Sequence, residues 1–377
     1  MRVIRIGVIG AGWMGRAHAT AFENVTRVFG TAPATLKIVA VADAVAATAH
    51  EFAERFAVAR WTTDWASVVS DPEIDVIDIT TPNDSHPQIA LAAIKAGKHV
   101  YCEKPMANTS ADSRSMYAAA KAAGVVTLVG FNYLCNPVQA FALELVKAGE
   151  LGEIFHFRGT FDNDYMVDPR YPATWRTDAR LAGRAGALGD MATHVVSLAH
   201  YLVGQVTDVC ATRQTLHATR KDVHGVERGV ENDDLAQFIC RFDNGASGYV
   251  EASRIGSGRK CYLAYEIQGT KGALFFDQER MNELNLYRYT DDPAERGYKK
   301  IFAAPQHRDY AAFFGNQGMA LGYNDLKIIE ARRLIEAIAT GGRWAADFEF
   351  GYRVDQVVEA ALVSSEQFRW VKVGEIS

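Results

Sequence analysis

A lysine, an aspartate and a histidine follow a glycine fingerprint in this chain, and their side chains are of the types that the oxidation of an alcohol requires. That chemistry needs a base for the hydroxyl proton, a cation or donor for developing alkoxide charge, and a geometry holding the carbinol carbon against a hydride acceptor. Lys104, in Glu103-Lys104-Pro105, is a candidate cation, and a lysine beside the oxygen stabilises an alkoxide. Asp190 and His194 are four apart, which places a carboxylate and an imidazole on one face of a helical turn. An imidazole takes a proton near neutral pH, and a desolvated lysine is able to share that task, so the residues leave the base open between His194 and Lys104. Each has a plainer reading: a lysine after a strand is commonly a solvated charge, and an Asp/His pair is commonly a surface pair or a cap.

The fingerprint Gly10-Ala11-Gly12-Trp13-Met14-Gly15 follows one apolar run and opens a helical one. Glycines there permit a tight turn and close approach of a diphosphate to backbone N–H groups at the positive end of a helix. Asp43 closes the run Val39-Ala40-Val41-Ala42, where a carboxylate accepts from both hydroxyls of an adenosine ribose and repels a 2′-phosphate; a helix cap is the alternative. Ala44 and Val45 offer no arginine for a phosphate, so NAD is expected rather than NADP. Thr26 to Ala34 reads as an inserted loop that lengthens the spacing to Asp43.

These residues need a scaffold, and the first part of the chain supplies an α/β pattern of short β-branched runs alternating with Ala-rich helical stretches. Strands are expected at Val3–Ile9, Lys37–Ala42, Val76–Thr80, His99–Cys102 and Thr127–Phe131, with helices at Trp13–Asn24, Val45–Phe56, Pro87–Ala96 and Ser110–Ala123. This is a doubly wound parallel sheet. After Leu151 the runs Ile154–Phe161, Leu235–Phe242, Gly248–Ser253, Tyr262–Gln268 and Leu284–Tyr289 alternate between turn signals such as Asp243-Asn244-Gly245. They read as a large open, mostly antiparallel sheet in an α+β domain, with helices at His194–Leu202, Asp325–Ala339 and Tyr352–Phe368. Two irregular stretches, Asp162–Ala187 and Pro305–Tyr323, have the length of functional loops.

At 377 residues the chain is long enough for two domains, and 49% apolar against 23% charged residues makes both foldable. A net charge of -5 gives no reason to seek nucleic acid or an anionic membrane. No apolar stretch has the length of a membrane span, and the opening run reads as a strand, so a cytoplasmic location is expected. Cys102, Cys135, Cys210, Cys240 and Cys261 are scattered without a CxxC pair, which suits reduced thiols and no metal site.

In order along the chain, Gly10 to Gly15, Thr81-Pro82-Asn83 with His86, Glu103-Lys104-Pro105, and Gly189-Asp190 with His194 resemble the glucose-fructose oxidoreductase and inositol dehydrogenase family. Within that family, the stretch from Trp175-Arg176 to His194 and Gly322-Tyr323 before a helix resemble the levoglucosan, scyllo-inositol and L-glucose dehydrogenases. The resemblance implies an NAD-binding Rossmann domain over 1–128. It further implies a substrate-binding and oligomerisation domain over 129–377, whose C-terminal helix returns towards the first.

By the same resemblance Lys104 contacts the reacting hydroxyl and the nicotinamide ribose, Asp190 binds a substrate hydroxyl, and His194 is the general base. Gly10, Gly12, Trp13, Met14, Gly15, Asp43, Thr81, Pro82, Asn83, His86, Glu103 and Asn132 belong to the cofactor site. Asn132, Tyr165, Trp175, Arg176 and Asn316 are substrate contacts, with Tyr171 and His307 nearby in the irregular loops; His217 and His224 are not expected to be catalytic. The expected activity is oxidation of a secondary hydroxyl of a cyclic polyol or sugar, in a homodimer or homotetramer. Two other functions stay open: an NAD-dependent glycosidase that releases no net NADH, and a cofactor-binding sensor without turnover.

Overall fold

The computed structural model describes residues 2–30 and 33–376. The chain forms two compact units, the first built from residues up to Ala107 with Ala111–Cys135 and Gly322–Tyr352, the second from Asn108–Ser110, Asn136–Leu321 and the chain from Arg353 onward. No helix of the described residues is long and apolar enough to cross a membrane.

From the N-terminus the elements are β1 (Arg2–Ile9), α1 (Trp13–Phe29), β2 (Ala34–Ala42), α2 (Ala46–Arg55), β3 (Trp61–Thr62), α3 (Trp65–Ser70), β4 (Val76–Ile79), α4 (His86–Lys95), β5 (His99–Cys102), α5 (Ser110–Ala123) and β6 (Thr127–Val129). Six parallel strands lie in the order β3-β2-β1-β4-β5-β6. All four residues of β4 are buried, as a strand covered on both faces requires. Parallel strands with helical crossovers bring every strand-to-helix loop to one edge, so the loops at Gly10, Asp43, Thr81, Glu103 and Asn132 follow the carboxyl ends of β1, β2, β4, β5 and β6.

The expected loop at Thr26–Ala34 is corrected here. Helix α1 continues to Phe29 and is capped by Gly30 at φ 63°, while β2 begins at Ala34; Thr31 and Ala32 lie outside the described residues. Val25 is fully buried, and tertiary packing overrides the weak helix propensity of Val25 and Thr26. A longer helix, rather than a loop, accounts for most of the extra spacing between Gly15 and Asp43.

The second unit adds α6 (Pro137–Lys147), β7 (Ile154–Asp162), α7 (Ala179–Ala182), α8 (Thr193–Leu202), β8 (Val206–Gln214), β9 (Thr219–Lys221), β10 (Glu227–Gly229), β11 (Leu235–Phe242), β12 (Ser247–Ser253), β13 (Tyr262–Gly269), β14 (Gly272–Asp277), β15 (Glu283–Arg288) and β16 (Lys299–Phe302). Helix α9 (Tyr323–Thr340) packs on α1 in the first unit; α10 (Phe348–Gln367) and β17 (Val371–Lys372) end the chain. The nine-stranded sheet runs β16-β15-β14-β13-β7-β12-β11-β8-β17 and is antiparallel except where β7 and β12 pair in parallel. Alternation decides its faces. Ala236, Phe238, Cys240 and Phe242 point inward along β11, while Gln237, Ile239 and Arg241 point outward. Helix α8 crosses the inner face at Gly159, where a Cβ would lie 2.4 Å from Val195. Only glycine admits so close an approach.

Asp162 ends β7 on the outer face, where the Thr160 hydroxyl donates to its Oδ2 at 2.9 Å. Burial pushes its carboxyl up to about 6 against the Thr160 hydrogen bond, with Glu251 adding to the rise. The folded chain therefore holds a proton that the unfolded chain releases, and this group's contribution to stability falls as pH rises from about 4 to about 6. Asp162→Asn removes the penalty. Its thermal midpoint should exceed that of the wild type by ~2 °C at pH 8, after allowance for partial exposure, and match it near pH 4. Equal midpoints at pH 8 would refute the assignment.

Candidate active site

In the first unit the nucleotide loop is assembled by the backbone. Gly10 N–H donates to Ala42 O (2.8 Å), the Thr80 hydroxyl donates to Gly10 O (2.6 Å), and Ala11 N–H donates to Asp43 Oδ2 (2.8 Å). Asp43 Oδ1 accepts from Val45 N–H (2.9 Å), so this carboxylate ties the glycine loop to the end of β2. Gly10 has φ 102°, and a Cβ there would lie 2.6 Å from the Thr80 backbone; at Gly15 it would lie 2.1 Å from Gly10 O. Gly12 differs. A Cβ on it meets no atom within 4 Å, so no group of the protein itself demands a glycine there. Gly12 caps α1 without a side chain, and the first turn carries no carboxylate. Trp13 is 61% exposed and stacks on Tyr323 at 5.6 Å, while the Tyr323 hydroxyl reaches Met14 Sδ at 3.7 Å.

The loop after β4 carries Thr81, Pro82 and Asn83. His86 is fully buried, its Nε2 2.9 Å from Thr81 O and its Nδ1 3.0 Å from Pro105 O, so it clamps this loop to the Lys104-Pro105 loop. Lys104 is half-buried, and its N–H donates to Glu103 Oε2 (3.1 Å). Asn132, after β6, is 1% exposed, and its amide nitrogen has no partner among the described residues. A buried amide donor in that state is a costly feature unless a ligand accepts from it.

In the second unit Asp190 lies in a π-helical turn, Leu188–Ala192, that leads into α8 and His194. The single α-helical turn expected for this pair is corrected accordingly; the wider turn still keeps positions four apart near one face, and such turns recur at functional sites. Asp233 builds the turn. Its carboxylate accepts from Gly186 N–H (2.9 Å) and Leu188 N–H (2.8 Å), and a Cβ on Gly186 would lie 2.0 Å from Asp233 O. His194 is 5% exposed, with its ring 5.7 Å from that of Phe161.

Two arginines converge on Asp190: Arg176 Nε at 3.6 Å and Arg254 Nη2 at 3.5 Å from Oδ2. Arg176 lies over the Trp175 ring at 4.5 Å, and its carbonyl accepts from Asn232 Nδ2 (2.8 Å). Burial pushes the Tyr165 phenol up to about 12, against Arg254 and with Asp190, so Tyr165 belongs to the same cluster. Its ring meets that of Tyr171 edge-on at 5.3 Å. Arg220, also buried, donates to the carbonyls of Met166, Asp168 and Tyr171 and so fixes the shape of this loop. The structure thus groups Tyr165, Trp175, Arg176, Asp190 and His194 on one unit. Asn316 is exposed, its carbonyl accepting from the Tyr310 hydroxyl (3.2 Å), and His307 Nδ1 accepts from Ala304 N–H (2.9 Å).

Residues 4–131 match the family described as "Oxidoreductase family, NAD-binding Rossmann fold", and residues 140–275 match the "GFO/IDH/MocA C-terminal domain". The chain belongs to the GFO/IDH/MocA oxidoreductase family. It is 39% identical to the levoglucosan dehydrogenase of Pseudarthrobacter phenanthrenivorans over 100% of both chains. It is 29% identical to the scyllo-inositol 2-dehydrogenase (NAD(+)) of Bacillus subtilis over 75% of this chain and 76% of that one. The solved structure of levoglucosan dehydrogenase in complex with NADH and levoglucosan superposes with a TM-score of 0.96 at 39% identity, covering 99% of this chain and 100% of that one.

This GFO/IDH/MocA chain is therefore an NAD-dependent oxidoreductase of a sugar and polyol dehydrogenase family. Its cradle fits NAD: Gly10 and Gly15 are required by the protein's own backbone, and at Gly12 the space beside the start of α1 is open, as the approach of a diphosphate needs. Arg254, Asp233 and Arg220 had no signal in the sequence. Arg254 directly follows a strand-like run, where an arginine reads as a surface charge, and yet it is 1% exposed.

Proposed function

We propose that this chain oxidises a secondary hydroxyl of a cyclic polyol or sugar to the ketone, with an anhydrosugar such as levoglucosan as the first substrate to try. The observation that supports it most is the Asp190 cluster: a carboxylate between two guanidiniums, with aromatic rings beside it, is built to grip a polyhydroxylated ring. The full-length likeness to levoglucosan dehydrogenase supports the substrate class.

In this reading Asp190 accepts from one substrate hydroxyl while Arg176 donates to a neighbour. Lys104 donates to the reacting oxygen and stabilises its growing negative charge, and His194 Nε2 removes the proton. NAD, when bound, supplies the hydride acceptor. Asp43 receives the adenosine ribose hydroxyls on the lone pairs left by Ala11 and Val45, and Asn132 donates its amide N–H to the nicotinamide or the substrate. A glycosidase reading gains nothing from these residues beyond what a dehydrogenase needs. We further propose a cytoplasmic homo-oligomer formed through the outer face of the large sheet, where Ile239 and Phe302 are 49% and 55% exposed. A monomer mass in sedimentation would contradict the oligomer.

Anhydrosugars, inositols and glucose enantiomers offered with NAD and NADP side by side test the function. NADH should appear in proportion to substrate consumed, with NAD preferred. Glycoside cleavage without NADH would favour the glycosidase, and NAD binding without turnover across the set would favour the sensor.

A further inference from the structure

We propose that Glu103 is a positioning residue for Lys104: a buried ion network anchored on α1 and α9 holds the Glu103 carboxylate, and that carboxylate holds the Lys104 backbone. The proposal rests on the role given to Lys104 above.

Glu103, expected in the cofactor site, follows β5 at the carboxyl edge of the sheet, where a carboxylate would ordinarily face solvent, and yet it is 6% exposed and both its oxygens are engaged by the protein's own donors. Its Oε1 accepts from His18 Nε2 (2.9 Å) and Lys327 Nζ (2.6 Å), and its Oε2 accepts from Lys104 N–H (3.1 Å). His18 Nδ1 meets Asp78 Oδ1 at 2.8 Å. A carboxyl oxygen stands at each ring nitrogen of His18, an arrangement that favours the protonated ring. Burial pulls the His18 imidazole down, but Asp78 and the two hydrogen bonds outweigh it and hold it above the ordinary histidine value. Burial likewise opposes the Glu103 carboxylate, and Lys327 with His18 keeps it well below the usual range. Lys327 also donates to Glu330 Oε2 (2.8 Å), which accepts in addition from the Tyr101 hydroxyl. Burial pushes the Glu330 carboxyl up towards its neutral form. His18 and Lys327 thus sit among the carboxyl groups of Asp78, Glu103 and Glu330.

Space fixes the carboxylate as firmly as charge does. A Cβ on Gly130 would lie 2.5 Å from Glu103 Oε1, and the His18 ring is stacked on Tyr101 at 4.5 Å. Stability alone is a poor reason for such a cluster, because apolar residues of equal volume are often as stable as a buried ion network. What the network does achieve is a unique position for one backbone N–H, that of Lys104. It also joins that position to α1, the helix that begins at the glycine cradle, and to α9.

Glu103→Gln tests this with shape and volume kept, since a carboxamide is unable to accept from three N–H donors without turning its own N–H2 against one of them. Turnover should fall at least about 30-fold, with KM for the polyol and Kd for NADH within about 3-fold of wild type. Amide hydrogen exchange across 103–107 in the NAD-free protein should become faster. In a double-mutant cycle, adding Glu103→Gln to Lys104→Ala should cost less than about 3-fold more, because both losses pass through one side chain. Wild-type turnover in Glu103→Gln, NADH affinity falling in step with turnover, or additive losses in the cycle would each overturn the proposal. His18→Gln carries the same readouts if Glu103→Gln does not fold; failure of both to fold would assign the network to stability alone. Should the wild-type chain oxidise no polyol at all, the dehydrogenase reading fails, and the exchange measurement still decides whether Glu103 holds the Lys104 backbone.

Discussion

Lys104→Ala should lower turnover by about 10³-fold and weaken NADH binding by no more than about 10-fold, the share of one ribose contact. The lysine follows the end of β5 at the ligand-binding edge of the parallel sheet, half-buried, with its N–H tied to Glu103. A cation held there stabilises charge that develops only as the hydroxyl is oxidised, so its loss is felt in kcat more than in ground-state binding. His194→Ala should also lose turnover by about 10²-fold or more, as a positioned base does. Fluorescence titration with NADH separates the two quantities. Turnover near wild type in both variants would remove these residues from the chemistry.

Gly12→Ala should raise the Kd for NADH at least about 100-fold, or ~2.7 kcal/mol, while leaving the stability of the NAD-free chain unchanged. A methyl group at Gly12 meets nothing in the protein and sits on an ordinary backbone with φ -70°, so the fold has no reason to resist it. It would occupy the space that a diphosphate needs above the start of α1. Gly15→Ala is the contrast, since its Cβ collides with Gly10 O and should lower stability and affinity together. The readout is the thermal midpoint with and without NADH. Wild type gains on ligation and Gly12→Ala should not. Normal NADH binding by Gly12→Ala would show that the diphosphate lies elsewhere.

Much of the scaffold was legible because local and global signals agreed. The run from His99 to Cys102 and the helix from Ser110 to Ala123 have the same bounds in the structure. Leu235–Phe242 likewise follows from its alternation. Other elements were hidden for identifiable reasons. β3 is only Trp61–Thr62, too short for any period, and α3 is one turn and a half held by its Asp64 cap. α6 did carry a signal: Asn136 caps it by accepting from Val138 N–H (3.0 Å) ahead of Pro137.

At the site, motif residues were readable one by one, whereas their supports were not. Arg254, Asp233 and Lys327 come from strands, loops and a helix remote in sequence from Asp190 and Lys104, and only the fold turns them inward. Their charges read as solvated surface until burial is known.

Transfer of deuterium tests the central claim most directly. A polyol carrying deuterium on the carbon of the oxidised hydroxyl, turned over with NAD, should yield one deuterium in each NADH and a ketone that has lost it. Deuterium retained in the product, or released to water while NADH stays unlabelled, would contradict the oxidation of a secondary alcohol by direct hydride transfer.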